Sequence, residues 1–480
     1  MTALRYCKGC FEKQQQINEL VEENARLKAQ VHSQERSVKE GAFGSSTPSS
    51  KIPIKANTLW ERQARCGGTK PGHPGHGREA LREGQADRVE RVVLAQERCP
   101  QCDVRLLSRG LQRRSVIDLH PVRVEKVLLR LERKRCPKCG RRFQARAPGV
   151  LPKSLYGNAL LTHVAEGHYL HGIPLGVIER PIDHAQGREL VERQTGLGHG
   201  SLVQALRQVG RRLEGVTDAL VEEYRRCPVK HADETGWRTD GQNGYVWLFA
   251  TETISLFRFR QSRSAAVARE VLGSKRLPGV LVVDRYHGYN KTPCAIEYCY
   301  AHLKRDTEGI LKDFPDEPEV AAFVEAMAPT LAEAMTLRTL RLPRKEFRRR
   351  ALRTKRRIIA LAHRQARHPA IWKIQKIFRE NAPRLYHWAR DPTIPAENNL
   401  AERDLRPLVI ARKVSFGSQS EAGARTRETL MSVLHTLKKR RLPVPATFQD
   451  ALDRLAENPS ANPVTLLFKP RPRAKLRSPS

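Results

Sequence analysis

Three acidic residues have the sequence surroundings expected of ligands for a divalent metal ion. Asp233 and Asp284 each end a short apolar segment, which is typical of a buried strand, and Glu402 lies in a segment predicted to be helical. A carboxylate at the end of a buried strand is held rigidly, and two neighbouring strands can bring two such groups to one ion. A third acid from a helix then completes a two-metal site, in which one ion activates the attacking oxygen and the other steadies the leaving one. Oxygen ligands of this kind suit Mg2+, with Mn2+ as a substitute.

The third acid is the one with close competitors. Taken singly, each of the three acids would be interpreted as a turn or cap residue. Pro395 is predicted to open the helix of Glu402 and Pro407 to close it. Glu397 and Asp404 lie near Glu402 in sequence but on other faces of that helix. The face that carries Glu402 is polar and consists of Asn398, Asn399, Glu402 and Arg406.

Two Cys-x-x-Cys pairs predict a separate, structural metal site. Cys99 and Cys102 form the first pair, and Cys136 and Cys139 form the second. Each pair makes a tight turn that directs two thiolates at one ion, and two turns complete a tetrahedral site for structural Zn2+. The alternating apolar residues of 122–131 predict a hairpin strand between them. A thioredoxin-like role would need one pair in a βαβ context that is absent here. A further pair, Cys7 and Cys10, has no partner pair, and its role is left open.

The charge of the chain indicates its partner. The 480 residues include 87 Lys or Arg and 51 Asp or Glu, for a formal net charge of +36. A surplus of this size favours nucleic acid, and the longest apolar runs are far shorter than the ~20 residues that cross a bilayer, so no membrane partner is expected. The N-terminus carries no apolar export signal, and the expected location is the bacterial cytoplasm, associated with the nucleoid when bound to DNA.

The densest positive charge lies between Arg338 and Arg367, where 13 Lys or Arg residues accompany one acid, Glu346. A charge run is usually a solvated helix face, but here almost nothing balances it, which favours contact with phosphate. The residues predicted to bind DNA are Arg348, Arg349, Arg350, Arg353, Lys355, Arg356 and Arg357.

The pattern of apolar residues divides the chain into eight segments and predicts a multidomain α+β protein. Helices are predicted at 158–169, 188–195, 201–224 and 264–272, and strands at 229–233, 245–251, 254–259, 280–284 and 298–301. The segments are a zipper-like helix (1–40), a flexible Gly/Pro/Ser linker (41–95), a zinc-binding module (96–147), a helical DNA-binding region (150–225), the first part of an α/β core (226–314), a basic helical insertion (315–394), the closing helix with the third acid (395–425), and C-terminal helices with a basic tail (426–480).

The first helix has apolar residues at the spacing of a coiled coil. Ile17, Leu20, Leu27 and Val31 form a short a/d seam in which Asn24 occupies one a position. Pairing with a second copy would fix the register, so a homodimer or higher oligomer is expected. A single amphipathic helix that packs on its own chain is the alternative. The helical region 150–225 also has two interpretations, a helix-turn-helix DNA reader and an ordinary helical spacer.

These motifs together resemble the DDE transposases of the insertion-sequence-66 family over most of the chain. The specific blocks are His231-Ala-Asp-Glu-Thr-Gly-Trp237 with the Asp284 segment, and Asn398-Asn-x-x-Glu402-Arg-x-Leu-Arg-Pro407 with the Ala411-Arg-Lys413 segment after it. The resemblance implies a ribonuclease-H-like α/β catalytic core interrupted by a helical insertion, with catalytic acids at Asp233, Asp284 and Glu402. It implies Mg2+-dependent cleavage at the ends of a mobile element, then attack of the freed 3′-hydroxyl on target DNA. Small accessory proteins encoded by the same element are possible partners. The segment after Lys413 lacks the Trp that is usual in the family.

Two other functions remain compatible with the sequence. A non-catalytic, zinc-dependent DNA-binding regulator would use the cysteine turns and basic helices and would not need the three acids. A nuclease of the same fold would cut DNA and never join it.

Overall fold

The computed structural model describes residues 82–120, 123–176 and 199–468, with single positions of the first predicted helix between Lys13 and Val31. The architecture is mixed α+β, as the sequence predicts, and contains a four-stranded and a five-stranded sheet. The strands are β1 (Arg88–Val92), β2 (Leu107–His120), β3 (Arg123–Arg135), β4 (Arg142–Gln144), β5 (Val229–Thr239), β6 (Gln242–Ala250), β7 (Ser255–Arg260), β8 (Val280–Val283) and β9 (Ala295–Tyr298). The helices are α1 (Asn158–Ala165), α2 (His199–Arg212), α3 (Glu214–Arg226), α4 (Ala265–Leu272), α5 (Tyr300–Asp313), α6 (Pro318–Thr336), α7 (Arg344–His363), α8 (Pro369–Glu380), α9 (Asn399–Ser415), α10 (Glu421–Lys439), α11 (Val444–Glu457) and α12 (Pro463–Phe468).

The four-stranded sheet holds the cysteine turns. β2 and β3 form the predicted antiparallel hairpin, and β4 pairs with β3. Val127, Leu129 and Leu131 alternate along β3 and are buried, as the sequence predicts, and Leu128 on the other face of the strand is buried as well. The linker predicted over 41–95 extends too far, because residues 88–92 form β1 and pair in parallel with β3. A strand of five residues with two valines gives too short an alternation to be recognised in the sequence.

The five-stranded sheet has the order β7-β6-β5-β8-β9. β5, β6 and β7 are antiparallel neighbours, whereas β8 and β9 run parallel to β5. The strand predicted at 229–233 continues to Thr239 because β6 pairs with it from His231 to Thr239. The strand predicted at 298–301 is wrong after its first residue, Tyr298. β9 ends at Tyr298 and α5 begins at Tyr300, whose N–H donates to the carbonyl of Ala396 at 2.7 Å.

Helices pack around this sheet. The helix predicted over 158–169 is α1 followed by a π-helical turn, Glu166–Leu170. The helix predicted over 201–224 divides into α2 and α3 at the buried residue Leu213, whose backbone leaves the helical region (φ −109°, ψ 5°). The helix predicted at 188–195 lies outside the described residues. The helical insertion is present as α6, α7 and α8, which follow α5.

One described helix is long and apolar enough to cross a membrane by length and composition, the span Pro318–Leu340. Half of its apolar window is buried within the protein, where α6 packs against α5 and α7. A core helix passes the same test of length and composition, so this is weak evidence for a membrane span.

The predicted ends of the helix that carries Glu402 are wrong. α9 begins at Asn399 rather than Pro395, and it continues through Pro407 to Ser415. Proline lacks one backbone donor, so it removes a single hydrogen bond of the helix, and packing against the sheet maintains the rest. Five leucine and alanine side chains of α9 are buried: Leu400, Ala401, Leu405, Leu408 and Ala411.

Several predictions fall wholly or partly outside the described residues. At the described positions of the first helix, Ile17, Leu20, Leu27 and Val31 are each about half exposed or more, so their seam is uncovered in the single chain. Self-association through it stays a prediction. Cys7, Cys10, the Gly-rich part of the linker and the basic tail 469–480 lie outside the described residues.

Candidate active site

The register of β5 and β8 places Asp233 and Asp284 side by side. The last pair of this parallel ladder joins His231 to Val282. Asp233 lies two residues beyond the first of these, and Asp284 lies two residues beyond the second. Residues two apart on a strand share a face, and neighbouring strands lie about 4.8 Å apart. Both carboxylates therefore project from the same face of the sheet at adjacent positions.

The helix of Glu402 is tied to the strand of Asp233 at both ends. At its start, Asn398 is 1% exposed, and its side-chain Nδ2 donates to the carbonyl of Ala232 at 2.8 Å. Because that amide nitrogen donates, Asn398 Oδ1 accepts, and it accepts from Nδ1 of His231 at 2.9 Å. At its end, Arg412 donates from Nη1 to the carbonyl of Gly236 at 2.6 Å. These contacts fix the direction of α9 along β5.

The acids are close enough for their charges to interact. Asp233 is 8% exposed, and its pKa is raised well above the usual value, first by burial and then by the charges of Glu234, Asp284 and Glu402. Its Oδ1 accepts the backbone N–H of Glu234 at 2.9 Å, which opposes that rise. A divalent cation would relieve this repulsion, since it favours the charged form of every carboxylate around it.

Glu234 belongs to a buried polar group on the other face of β5. It is fully buried, and its Oε1 accepts Nη2 of Arg263 at 2.6 Å while its Oε2 accepts the hydroxyl of Tyr289 at 2.6 Å. Burial and the charge of Asp284 raise the pKa of Glu234 to about 7. Both of its carboxylate oxygens already accept hydrogen bonds from Arg263 and Tyr289. Glu234 therefore stabilises this end of β5 and is poorly placed as a metal ligand.

Glu402 has two further potential ligands beside it. Ligand atoms of Cys299, His302 and Glu402 all lie within 4.8 Å of one another. His302 Nδ1 is 3.8 Å from Glu402 Oε1, and both atoms are buried without a hydrogen-bond partner among the described residues. Burial lowers the pKa of His302, although the charge of Glu402 opposes this. Buried polar atoms normally have a hydrogen-bond partner. Two neighbouring buried atoms without one are therefore expected where a metal ion binds or where the substrate donates a proton.

The competing acids of the same segment have other contacts. Asp404 Oδ2 accepts the hydroxyl of Ser255 at 2.6 Å and pairs with Lys439 Nζ at 2.6 Å, which ties α9 to β7 and α10. Glu397 precedes the helix, and burial raises its pKa. Of the two, Asp404 is fully engaged on the opposite side of α9 from Glu402. Asp233, Asp284 and Glu402 themselves offer carboxylate oxygens, which fit Mg2+ or Mn2+.

The four cysteines of the first sheet come together as predicted. Their sulfur atoms all lie within 4.8 Å of one another, and Cys99 Sγ is 3.6 Å from Cys139 Sγ. A backbone hydrogen bond closes each turn, with the residue after the second cysteine donating to the carbonyl of the first. The N–H of Asp103 donates to Cys99 O at 2.9 Å, and the N–H of Gly140 donates to Cys136 O at 3.0 Å.

Both closing residues adopt positive φ, 48° at Asp103 and 71° at Gly140. Burial opposes ionisation of Cys99, but hydrogen bonds from backbone and cysteine donors lower its pKa to about 7. Four sulfur donors in this geometry can bind zinc.

The basic helix α7 carries both paired and unpaired cations. Glu346 pairs with Arg349 at 2.8 Å and with Arg350 at 2.7 Å, and Arg357 pairs with Glu333 at 3.1 Å. Lys355 lies over the ring of Tyr386 at 5.0 Å. Among the described residues, no ion pair within 4.0 Å joins a carboxylate to the exposed side chains of Arg348, Arg353 and Arg356.

Sequence reasoning missed Cys299, His302 and the connecting role of Asn398. The Cys299-x-x-His302 spacing was present, but the predicted strand over 298–301 concealed it. In a helix, residues three apart share a face, whereas in a strand they point to opposite sides. No sequence signal indicated that the side chain of Asn398 bonds to β5.

Comparison with known proteins decides the family. The family model described as Transposase IS66 family matches residues 153–426, which is more than half of the chain and contains all three acids. The chain belongs to the IS66 transposase family. An uncharacterized protein of Sinorhizobium fredii, y4qI, is 24% identical in an alignment of 463 positions that covers 85% of this chain and 80% of that protein. A second, y4jD of the same organism, is 26% identical in an alignment of 214 positions that covers 41% of each chain. Membership of the family supports a role as a transposase, an enzyme of the polynucleotidyl-transferase type that uses divalent metal ions and binds DNA.

Proposed function

We propose that the chain cleaves the ends of a mobile element and joins the 3′-hydroxyls to target DNA, with Asp233, Asp284 and Glu402 as the catalytic acids. The observation that carries the proposal is the clustering of these acids. Asp233 and Asp284 occupy matching positions on adjacent strands, and the charges of Asp284 and Glu402 both raise the pKa of Asp233.

The proposed core is ribonuclease-H-like. The order of the sheet supports this, because the first strand, β5, lies at its centre with an antiparallel hairpin on one side and two parallel strands on the other. The insertion α6 to α8 then falls between the second and third acids, as the resemblance implies.

The catalytic role of the protein is to hold oxygen ligands where charge develops on the phosphate. When bound, divalent cations neutralise that charge and lower the pKa of the attacking hydroxyl group. Asp233 and Asp284 would hold them from the sheet, and Glu402 would hold them from α9. Asn398 and Arg412 keep the helix and the strand in register. The cations are proposed to be Mg2+, with Mn2+ as a substitute.

The remaining parts of the chain would bind DNA and assemble the complex. The sulfur cluster is proposed to hold a structural Zn2+, and the helical region after it to bind element ends. α7 would contact phosphates through Arg348, Arg353 and Arg356, and the first helix would pair with a second copy. The location follows from the substrate, in the cytoplasm and on the nucleoid, with accessory proteins of the same element as further partners.

The test uses labelled DNA that contains the two ends of the element. Asp233→Asn, Asp284→Asn and Glu402→Gln should each abolish cleavage and strand transfer, while binding to the ends stays near that of the wild type. Glu397→Gln, at the competing acid that precedes α9, is the matched control and should keep both reactions. Ca2+ should support binding without cleavage, because its longer and laxer coordination does not fit the Mg2+ geometry.

Each rival function predicts a different result. A nuclease would give cut ends and no joined products in the same gel. A DNA-binding regulator would give neither product from the wild type and would lose nothing in the three acid variants. Full activity in all three acid variants would remove the assignment of the site.

A further inference from the structure

The helix that carries Glu402 ends in apolar side chains that face solvent. Ile410, Val414 and Phe416 are 58%, 49% and 75% exposed, respectively. Ile410 and Val414 lie four residues apart and share a face of α9, and Phe416 follows at its C-terminus. Phe416 is the most exposed of the large hydrophobic residues in the described part of the chain.

The backbone holds Phe416 in this exposed position. Its φ is +57°, a left-handed conformation that strains a bulky residue. Gly417 follows with φ +130°, and a Cβ there would lie 2.3 Å from the carbonyl oxygen of Arg238. Ser418 donates its N–H to that same carbonyl at 2.9 Å, and its hydroxyl accepts Nε1 of Trp237 at 3.1 Å. The turn is therefore packed tightly against β5, and the ring of Phe416 is presented from a fixed base.

Strain and exposure of one aromatic residue together motivate a functional explanation. Burial of an apolar side chain normally offsets the free-energy cost of a strained backbone, but most of the Phe416 ring is exposed to solvent. A ligand that covers the ring would provide the missing contact.

The charges around this patch favour nucleic acid as that ligand. Arg403, Arg406 and Lys413 are exposed on the same helix. Basic side chains next to an exposed aromatic ring are the combination that binds single-stranded nucleic acid, since the cations attract phosphates and the ring stacks on bases. A second copy of this chain would bring the same cations face to face, in a protein with a net charge of +36.

We propose that Phe416, with Ile410 and Val414, is a stacking surface for unpaired DNA bases. Phe416 lies fourteen residues beyond Glu402, so the helix rise places it about 21 Å from the third acid, roughly six nucleotide steps along a strand. Its role in transposition rests on the proposed function, but the binding of unpaired bases does not.

The experiment measures binding of the full-length, zinc-loaded protein to two probes in the presence of Ca2+. One probe is a fluorescent oligothymidylate of about 15 nucleotides, similar to known single-strand site sizes. The other is a mixed-sequence duplex of the same length. Phe416→Ala should weaken binding to oligothymidylate about 5- to 140-fold, the range expected for loss of one aromatic stacking contact of about 1 to 3 kcal/mol. Binding to the duplex should change by less than about 2-fold, because its bases are already stacked.

Three variants act as controls. Phe416→Trp should restore binding to oligothymidylate, since the larger ring stacks at least as well. Phe416→Gly removes the ring at a position where glycine adopts positive φ without strain, so it should bind as weakly as Phe416→Ala while staying folded. Leu340→Ala removes an exposed apolar side chain elsewhere (51% exposed) and should have no effect on either probe.

Oligothymidylate binding that is equal in Phe416→Ala, Phe416→Gly and the wild type would overturn the proposal. A lower oligomeric mass of Phe416→Ala in sedimentation, with unchanged binding to both probes, would instead assign the patch to an interface between copies. Failure of the proposed catalysis would appear separately, as inactive wild-type protein that still binds oligothymidylate through Phe416.

Discussion

Replacement of Asn398 by alanine tests how the two halves of the candidate site are held together. The side chain of Asn398 makes two buried hydrogen bonds, with His231 Nδ1 at 2.9 Å and with the carbonyl of Ala232 at 2.8 Å. Asn398→Ala leaves both partners buried and unsatisfied. Near neutral pH the ring of His231 stays uncharged, because burial lowers its pKa to about 4.

The expected loss of stability follows from these two contacts. Each buried polar group left without a partner costs about 1 to 3 kcal/mol, so the free energy of unfolding should fall by about 2 to 6 kcal/mol. Asn399→Ala is the matched control, since Asn399 is the next residue along the chain and is exposed. Its effect should stay within about 0.5 kcal/mol. Urea denaturation of both variants, compared at a common slope, measures the difference.

The same variant should change the metal requirement of catalysis. Asn398 precedes α9, and its carbonyl accepts the N–H of Glu402 at 3.2 Å, so loosening Asn398 displaces Glu402 relative to Asp233. A displacement of about 1 Å can reduce the rate about 100-fold. The Mg2+ concentration for half-maximal cleavage should rise in Asn398→Ala and stay unchanged in Asn399→Ala. If the two variants match in both stability and metal requirement, the connection between α9 and β5 has no role in the site.

Three further predictions concern other parts of the molecule. Purified protein should contain one tightly bound Zn2+ per chain through the cysteine cluster, and the double variant Cys136→Ser with Cys139→Ser should lose it; equal zinc in both by elemental analysis would contradict the assignment. Charge reversal at Arg348, Arg353 and Arg356 should weaken binding to all DNA sequences alike and make the affinity less dependent on salt. Arg349→Glu is the control and should have less effect, because Arg349 already pairs with Glu346. An effect limited to one DNA sequence would refute phosphate contact. Burial lowers the pKa of His435 to about 4 from a usual 6.5, so unfolding releases a group that binds protons more readily. The free energy of unfolding should therefore be highest above pH 6.5 and should fall by about 3 kcal/mol as the pH falls toward 4. His435→Gln should show a smaller fall over this range in urea denaturation, and equal pH profiles of variant and wild type would exclude His435 as a cause of the acid sensitivity.

The sequence was most informative where one local pattern decides the structure. The two cysteine turns and the hairpin between them follow from spacing and alternation, and so do the strands that lead to Asp233 and Asp284. The family was also recognised from the residues around the acids, and the family model confirms it. The catalytic assignment of the three acids stays a prediction.

The sequence was less informative where distant contacts override local preference. Pro407 was expected to end a helix that packing against β5 maintains to Ser415. β1 was assigned to a linker because its partner, β3, lies about 40 residues further along the chain. His302 was missed because its relation to Glu402 depends on how α5 and α9 meet, across a hundred residues of sequence. Contacts of this kind have no signature in a single sequence.

The position of the helical insertion has a consequence for synthesis of the protein. Asp284 and Glu402 are separated by 118 residues, and α9 is held in place partly by Lys439 of α10, which is made later still. At about 5 to 20 residues per second, a nascent chain exposes the first two acids for about 6 to 24 s before the third is translated. The cysteine module is complete well before that. On the proposed assignment of the three acids, a growing chain can therefore contact nearby DNA before it can cut it, and the ability to cleave arises only once Glu402 and α10 have been made.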